Sequence, residues 1–463
     1  MSRKSSADSS AALRLTQRCR AIESVLGQLA PLQLRGQVAG VLGERVRLGG
    51  LTPFLATGDR LLLQPRAGTA SPVTSEIVAL EESGATALCR EPPVGLGLGA
   101  PAILVPGRTA PRLPVCAGWV GRVVDADGAP LDGRGPLPAS RPGRPLQAPP
   151  PPAATRARLG ERLDLGVAAL DLFATCRRGQ RLGLFAASGV GKSTLLAMLA
   201  RNVDCDVVVL ALVGERGREV REFLEEELGP QGAARCLTVV ATSDESPLRR
   251  RDAARAAMAA AEYFRDSGQR VLLLMDSVTR YCLALRDVAL AGGEPPASRG
   301  WPASVFGELP RLLERAGPGP AGSRGEITAL FTVLVDGDDH DEPVADAVRG
   351  FLDGHVVLDR GIAERGRYPA VDVLRSLSRT VPGCLTAAEW DSARQARAVL
   401  ARAAELADLV RLGAYVPGRD AESDAALALA PRIEALLGQE RGQHRPAATA
   451  FAALAALLAQ APR

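Results

Sequence analysis

A glycine-rich stretch near the middle of the chain carries the residue types that bind phosphate groups. Residues 186–193 read Ala-Ala-Ser-Gly-Val-Gly-Lys-Ser, after a strongly apolar run and before a leucine-rich run with helical spacing. In such a strand–loop–helix unit, backbone N–H groups bind phosphates at the positive end of the helix dipole. The pattern therefore predicts a nucleotide-binding loop.

Lys192 and Ser193 are the chemically active members of this loop. We expect Lys192 to contact the β- and γ-phosphates and the Ser193 hydroxyl to ligate Mg²⁺. Lysine is otherwise rare, because Lys4 and Lys192 are the only two among 56 basic residues. A compact ammonium suits a phosphate-binding turn better than the guanidinium fork does. The other residues expected around the nucleotide are Ala186, Ala187, Ser188, Gly189, Val190, Gly191 and Thr194.

One position in the loop departs from the usual motif. Ala186 stands where G-x-x-x-x-G-K-[ST] has its first glycine, and an added methyl group could restrict the conformation of the loop.

Two carboxylates follow other apolar runs. Glu215 comes just after the run 207–213, where an acid beside a phosphate loop can polarise an attacking water. Asp276 ends the run 271–276, the arrangement in which an aspartate helps to hold Mg²⁺. Each also has a purely structural interpretation, since Glu215 could interact with a helix dipole and Asp276 could cap a helix. Their position beside a phosphate loop favours the catalytic interpretation. The later Glu222, Glu225, Glu226 and Glu227 are expected to form a solvated helix face.

Composition argues against several other classes of protein. A chain of 463 residues is expected to form two or three domains. A net charge of +4 and 3% aromatic residues argue against a dedicated nucleic-acid binder. The eight cysteines include no C-x-x-C pair, which favours free thiols in a reducing compartment. There is no apolar stretch typical of a signal peptide or a membrane span, so we expect a cytoplasmic protein. The acidic loop around His340 is expected to be a solvated turn rather than a metal site.

Patterning along the chain predicts its organisation. Residues 1–30 are expected to form an amphipathic helical arm, either an N-terminal cap or a partner-binding segment, and short alternating runs broken by glycine predict a β-barrel over 31–106. The proline- and glycine-rich segment 107–158 is expected to be a semi-rigid connection. From 159 to 384, apolar strands alternate with helices, which predicts a parallel sheet buried on both faces. Residues 385–463 are expected to form a small helical domain, broken near Pro417 and Pro431.

Further motifs resemble those of one family. They are Gly189–Ser193, Gly214–Val220, Gly293–Ala297, Ser304–Phe306, Glu314–Gly317, Leu352–His355 and Arg367–Asp372. Together they resemble the flagellum-specific ATPases of type III protein export, relatives of the virulence type III secretion ATPases and of rotary ATP synthase catalytic subunits. The resemblance covers nearly the whole chain. It implies an α/β P-loop (RecA-like) parallel-sheet core with an N-terminal β-barrel and a C-terminal helical domain.

The resemblance implies roles for three more residues. Arg216 matches an arginine that contacts the γ-phosphate region, and Tyr368 matches an aromatic residue that packs on adenine. Arg379 matches an arginine that is supplied across a subunit interface to the neighbour's nucleotide, so a homohexameric ring is implied. An arginine supplied in this way raises turnover about 10³–10⁵-fold. The family more often has glycine at Ala187, which puts the nucleotide affinity of this chain in question.

The resemblance also implies cofactors and partners. They are ATP and Mg²⁺, a regulator bound at the N-terminal arm, export gate and stalk proteins, and export chaperones with their cargo proteins. No nucleic acid is implied. The ring would be peripheral to the inner membrane, on its cytoplasmic side.

Three alternatives stay open at this point. A virulence type III secretion ATPase shares every catalytic element above. A nucleotide-binding, non-catalytic subunit of a rotary ATP synthase would not need the carboxylate of Glu215. An RNA-translocating helicase is expected to have exposed aromatic residues in its barrel, and the stretch 32–106 has only Phe54.

Overall fold

A computed structural model describes residues 33–65, 71–105, 111–140, 142–335 and 342–460. The predicted N-terminal arm and His340 lie outside these residues. Among the described residues, no helix is long and apolar enough to cross a membrane.

The first part of the described chain is a closed antiparallel barrel. Alternate side chains point into it, and Val38, Val46, Leu61 and Ile77 are almost fully buried there. The order of strands around the barrel is β1-β2-β5-β4-β3-β6, and β6 pairs with β1 to close it. The strands are β1 (Arg35–Leu42), β2 (Arg45–Gly49), β3 (Arg60–Leu63), β4 (Val73–Glu81), β5 (Gly84–Cys89) and β6 (Pro101–Leu104).

A nine-stranded sheet forms the centre of the molecule, in the order β19-β18-β12-β17-β15-β13-β14-β8, with β16 paired to β17. The pairs are parallel except β18 with β19 and β16 with β17. Its strands are β8 (Val123–Val124), β12 (Arg181–Ala186), β13 (Val207–Glu215), β14 (Cys236–Thr242), β15 (Arg270–Asp276), β16 (Gly317–Pro318), β17 (Glu326–Leu334), β18 (Gly354–Leu358) and β19 (Val371–Ser378). Two small ladders pair β7 (Arg112–Leu113) with β9 (Arg144–Pro145) and β10 (Arg162–Leu163) with β11 (Cys176–Arg177).

Helices cover both faces of the sheet, which explains why its strands are apolar throughout. In β13, Val209 and Ala211 belong to the hydrophobic core on one face, and Val208 and Leu210 belong to the core on the other. The α-helices of the described residues are α1 (Ala168–Phe173), α2 (Lys192–Asn202), α3 (Gly217–Glu222), α4 (Gly229–Ala234), α5 (Pro247–Asp266), α6 (Val278–Ala291), α7 (Ala303–Leu313), α8 (Pro343–Phe351), α9 (Arg360–Glu364), α10 (Ala387–Arg411), α11 (Ala421–Leu437) and α12 (Ala447–Ala459). A π-helical turn, Phe223–Leu228, joins α3 to α4.

The proline- and glycine-rich segment is more than the connection that its composition predicts. Strand β8 extends the central sheet beside β14. Trp119 is 1% exposed within the sheet's core, and its indole Nε1 donates to the carbonyl of Pro138 at 2.6 Å. This segment therefore packs against the central sheet, and its strand of two residues is too short to give a pattern in the sequence.

The C-terminal helices pack on the same core as the helix that follows the phosphate loop. Leu400, Ile433 and Phe451 lie in one hydrophobic cluster with Leu195 of α2. The prediction of a break near Pro431 is wrong, because α11 continues through that residue as far as Leu437. Burial of Ile433 and Leu437 against the core favours the helix over the local preference of proline to end it.

Barrel and sheet meet at a buried cluster of charges around Asp252. Its side chain is 1% exposed, and its carboxylate accepts from Arg60 at 3.0 Å, from Arg90 at 2.5 Å and from Arg251 at 2.8 Å. Arg251 also forms a two-pronged contact with Glu76 of the barrel, at 2.8 and 2.7 Å. Burial raises the pKa of Asp252, but the positive charges of its arginine neighbours outweigh burial and hold that pKa well below its usual range.

We expect Asp252→Ala to lower the free energy of unfolding by about 3–5 kcal/mol, because it leaves buried arginines without their counter-ion. The control is Asp408→Ala, whose carboxylate is 81% exposed and pairs with Arg411 on the same helix face. That change is expected to cost less than about 0.5 kcal/mol. Urea unfolding of both variants measures the difference, and equal effects would contradict a supporting role for the cluster.

Candidate nucleotide-binding site

The phosphate loop connects β12 to α2 at the carboxyl edge of the sheet. Gly189 and Gly191 have φ values of 82° and 91°, which glycine adopts without the strain of a side chain. Ala186 instead ends β12 and is 1% exposed, and it is not among the residues with positive φ. Its methyl group therefore packs in the core and does not restrict the loop at the position where the motif usually has glycine.

Three predicted residues meet directly behind the loop. The Lys192 Nζ atom contacts the carboxylate of Asp276 and lies 3.7 Å from Oε1 of Glu215. All three side chains are largely buried, with exposed fractions of 12%, 5% and 16% for Lys192, Asp276 and Glu215. The structure thus brings together one cation and two carboxylates that are distant in the sequence. Lys192 follows the loop after β12, Glu215 ends β13 and Asp276 ends β15.

Sheet order explains this convergence. Strands β13 and β15 are parallel neighbours, so their carboxyl ends place Glu215 and Asp276 at the same edge as the loop. The capping alternative for Asp276 is not what the structure shows, since the Ser277 hydroxyl accepts from the N–H of Arg280 at the start of α6. Asp276 instead accepts from the Thr332 hydroxyl of β17 at 2.7 Å.

Burial dominates the electrostatics of Glu215. Desolvation raises the pKa of its carboxyl above the ordinary glutamate value; the positive charge of Lys192 lowers that pKa and the negative charge of Asp276 raises it. A carboxylate that is costly to keep ionised is a stronger proton acceptor than an exposed one. The site therefore holds a candidate base beside the position where phosphate is expected.

Ser193 faces a small acidic cavity of about 210 Å³ beside these carboxylates. Hydroxyl and carboxylate oxygens are the ligands that Mg²⁺ prefers, usually together with water and substrate phosphates. Within the described ranges there is no cluster of three or more histidine, cysteine, aspartate or glutamate residues that would hold a metal on its own. The donors present therefore fit a magnesium ion that arrives with a phosphate ligand. Other residues lining this cavity are Leu212, Glu215, Glu219, Val220, Glu222, Phe223, Glu226, Glu227 and Asp276.

A second cavity, of about 810 Å³, opens on the other side of the loop. Tyr368 lines it and is 47% exposed. A Cβ atom built on Gly191 would lie 3.3 Å from the Tyr368 ring, so the ring lies directly against the loop. Leu195 and Met198 of α2 supply an apolar wall, and residues 438–443 close the far side. An exposed aromatic face beside a phosphate loop is suited to stacking on a base.

The other predicted residues are placed as follows. Thr194 lines the larger cavity, and its hydroxyl donates to Glu227 at 3.3 Å. The carbonyl of Ser188 accepts from Arg360 at 3.5 Å. Ala187 and Val190 belong to the loop, and their side chains are buried. Arg216 precedes α3 and is 78% exposed, with Glu219 as its partner at 3.2 Å.

Arg379 is far from the loop of its own chain. Strand β19 runs antiparallel to β18, so Val371 pairs with Leu358 near the loop and Ser378 pairs with Gly354 at the opposite edge. Seven residues of strand span about 23 Å. Arg379 follows Ser378 and is exposed there, so it does not belong to the phosphate site of its own chain.

Sequence reasoning missed three residues of the site. Arg280 packs against Gly214 and lowers the pKa of Glu215, and Thr332 holds Asp276. Glu227 was assigned to a solvated face, but its carboxylate is 18% exposed and contacts both Thr194 and Arg441. Residues 223–228 form a π-helical turn, which has more residues per turn than an α-helix. Glu227 therefore points in a different direction from the one that a 3.6-residue repeat predicts.

Comparison with known proteins agrees with this geometry. The model of the ATP synthase alpha/beta family, nucleotide-binding domain, matches residues 166–378, and that of the T3SS EscN ATPase C-terminal domain matches residues 385–456. The flagellum-specific ATP synthase of Caulobacter vibrioides is 50% identical over 95% of this chain and 99% of its own length. This chain belongs to the flagellar and type III secretion ATPase family.

Solved members of the ATPase family share the fold. The structure of the assembled ATPase EscN from the type III secretion system of enteropathogenic E. coli matches with a TM-score of 0.84. It is 37% identical to this chain and covers 91% of it and 100% of EscN. EscN in complex with its central stalk EscO matches with a TM-score of 0.81 at 38% identity, over 91% and 100% of the two chains. The predicted fold class is therefore confirmed, and so is the family that the sequence motifs resemble.

The raised pKa of Glu215 predicts how activity depends on pH. Below this pKa the carboxyl is protonated and cannot accept a proton, so kcat/KM is expected to fall at a pH above the ordinary glutamate value of about 4.3. A pH profile of ATP hydrolysis measures this acid limb. In Glu215→Asp the limb is expected to move, whereas Glu225→Gln, at a 62% exposed side chain, should leave it in place. An acid limb that is identical in all three proteins would contradict the assignment.

Proposed function

We propose that this chain hydrolyses ATP with Mg²⁺ as one subunit of a ring, and that hydrolysis energises flagellar type III protein export. The observation that carries the proposal is the meeting of Lys192, Glu215 and Asp276 behind a glycine-rich loop. Family membership supplies the enzyme class, since these proteins are ATPases.

Binding of ATP begins with an exchange of partners at Lys192. Its ammonium lies against the carboxylates of Asp276 and Glu215. The β- and γ-phosphates offer a competing set of negative charges, and the N–H groups of residues 189–192 bind them at the start of α2. The Tyr368 ring then covers the base in the larger cavity.

Magnesium would be held by Ser193 and Asp276 together with phosphate oxygens and water. When bound, the ion neutralises charge that develops on the phosphates. Thr332 keeps the Asp276 carboxylate oriented towards the loop. Freed from the Lys192 ammonium, this carboxylate has an oxygen available for a metal.

Hydrolysis itself requires a water directed at the γ-phosphate. Glu215 is the carboxylate placed to orient that water and to accept its proton. Arg216 follows immediately and precedes helix α3, and its exposed side chain would exchange its contact with Glu219 for one in the γ-phosphate region. The positive charges of Lys192 and Arg280 lower the pKa of Glu215 and so favour its ionised form.

Arg379 completes the site of a neighbouring subunit. Arg379 lies at the opposite ends of the strands from the phosphate loop. This position supports the role, because a side chain is too short to reach along the length of a strand to the loop of its own chain. A guanidinium supplied in this way stabilises charge in the transition state, so activity depends on assembly. A homohexamer is the assembly we propose.

Flagellar export is favoured over virulence secretion by identity. The flagellar relative from C. vibrioides is 50% identical, whereas the type 3 secretion system ATPase of Xanthomonas euvesicatoria is 43% identical over 91% of this chain. The partners we propose are a stalk protein, the export gate, export chaperones with their cargo, and a regulator bound at residues 1–30. The ring would lie in the cytoplasm, peripheral to the inner membrane.

A mixing experiment tests the shared site. Lys192→Ala removes the lysine of the phosphate loop and keeps Arg379, whereas Arg379→Ala removes the arginine and keeps the loop intact. Each variant alone is therefore expected to lose about 10³-fold in kcat or more. Random mixing at equal amounts should restore about a quarter of wild-type activity, the share of interfaces where an intact loop meets an intact arginine.

The control for this mixture is Glu215→Gln with Lys192→Ala. Both changes disable the same side of the interface, so no activity is expected to return on mixing. Activity in Arg379→Ala alone, or no recovery in the first mixture, would contradict a site shared between subunits.

A further inference from the structure

The wall of the larger cavity is built from two distant parts of the sequence. One part is Tyr368 and Pro369, shortly after α9, and the other is residues 438–443, directly after α11. Arg367 also lines this cavity beside Tyr368, with a side chain that is 9% exposed. A buried guanidinium needs partners in several directions, and those partners reveal what it holds in place.

Arg367 binds the backbone that follows the stacking residue. Its Nη1 donates to the carbonyl of Pro369 at 3.1 Å, and its Nη2 donates to the carbonyl of Val371 at 2.9 Å. The remaining nitrogen, Nε, lies 2.5 Å from Oε2 of Glu434 on α11. The guanidinium therefore fixes the course of the chain after Tyr368 and joins it to the C-terminal helical domain.

A second contact from the same domain reaches Tyr368. The N–H of Gln439 donates to the carbonyl of Tyr368 at 2.7 Å. The Gln439 side chain is itself held by the Gly166 carbonyl at 2.7 Å and by the Ala168 N–H at 3.1 Å. The carbonyl of Tyr368 and the backbone that follows it are thus held by hydrogen bonds, although the Tyr368 ring itself is exposed.

We propose that Arg367 and Glu434 are positioning residues that set the base-binding face of Tyr368 and hence the affinity for ATP, without contacting the phosphates. This inference rests on the proposed function, because it takes the larger cavity as the site of the base. Arginine suits this position because Nη1 and Nη2 of its planar fork reach two backbone carbonyls at once, while its positive charge lies against the Glu434 carboxylate.

Arg367→Lys and Glu434→Gln test the inference. We expect the KM for ATP to rise about tenfold in each, with kcat within about twofold of wild type, because substrate binding is weakened and the chemistry is unchanged. Inorganic tripolyphosphate carries the phosphates without a base. Its inhibition constant is expected to stay at the wild-type value in both variants.

Arg402→Ala is the matched control. Arg402 pairs with Asp420 at 2.9 Å within the same helical domain and does not line the cavity. Its KM for ATP should equal that of wild type.

Two results would overturn the inference. One is an unchanged KM for ATP in both variants. The other is a weakening of tripolyphosphate inhibition in parallel with a lower melting temperature, which would indicate a general loss of structure. If the wild-type protein bound neither ATP nor tripolyphosphate, the proposed function itself would fail. If tripolyphosphate bound as tightly as ATP, the base would add nothing to the affinity. That result would contradict base binding in the larger cavity and leave the proposed ATPase function standing.

Discussion

The contact between the Lys192 ammonium and the Asp276 carboxylate is the interaction on which the nucleotide site depends. Two carboxylates, Asp276 and Glu215, lie almost buried at adjacent strand ends, and their like charges repel. Lys192 offsets that repulsion from the first turn of α2. In the function proposed above, the same ammonium would bind phosphate. The parallel pairing of β13 with β15 fixes the two carboxylates relative to each other.

Much of this arrangement was predictable from the sequence. Lys192, Glu215 and Asp276 each follow a long apolar run, and parallel strands bring such ends to one edge. The barrel followed from alternating runs separated by glycine. In both cases a periodic pattern extends over enough residues to dominate local preferences.

Other features depend on contacts that a sequence pattern does not contain. Strand β8 has two residues, and only its pairing with β14 defines it. Helix α11 passes through Pro431 because buried neighbours stabilise it. The position of Glu227 follows from the π-helical turn. The roles proposed for Tyr368 and Arg379 came from family resemblance alone, since nothing near them in the sequence distinguishes them from other surface residues.

The opposite placement of Lys192 and Arg379 gives each subunit two unlike edges. If one edge receives what the other donates, subunits can join in only one direction. An open row of such subunits would always have a nucleotide site without its arginine at one end and an arginine without a nucleotide site at the other. Closing the row into a ring brings these two ends together and completes the last site. Turnover would then report completion of the ring, so that an unassembled pool would consume little ATP away from the export machinery.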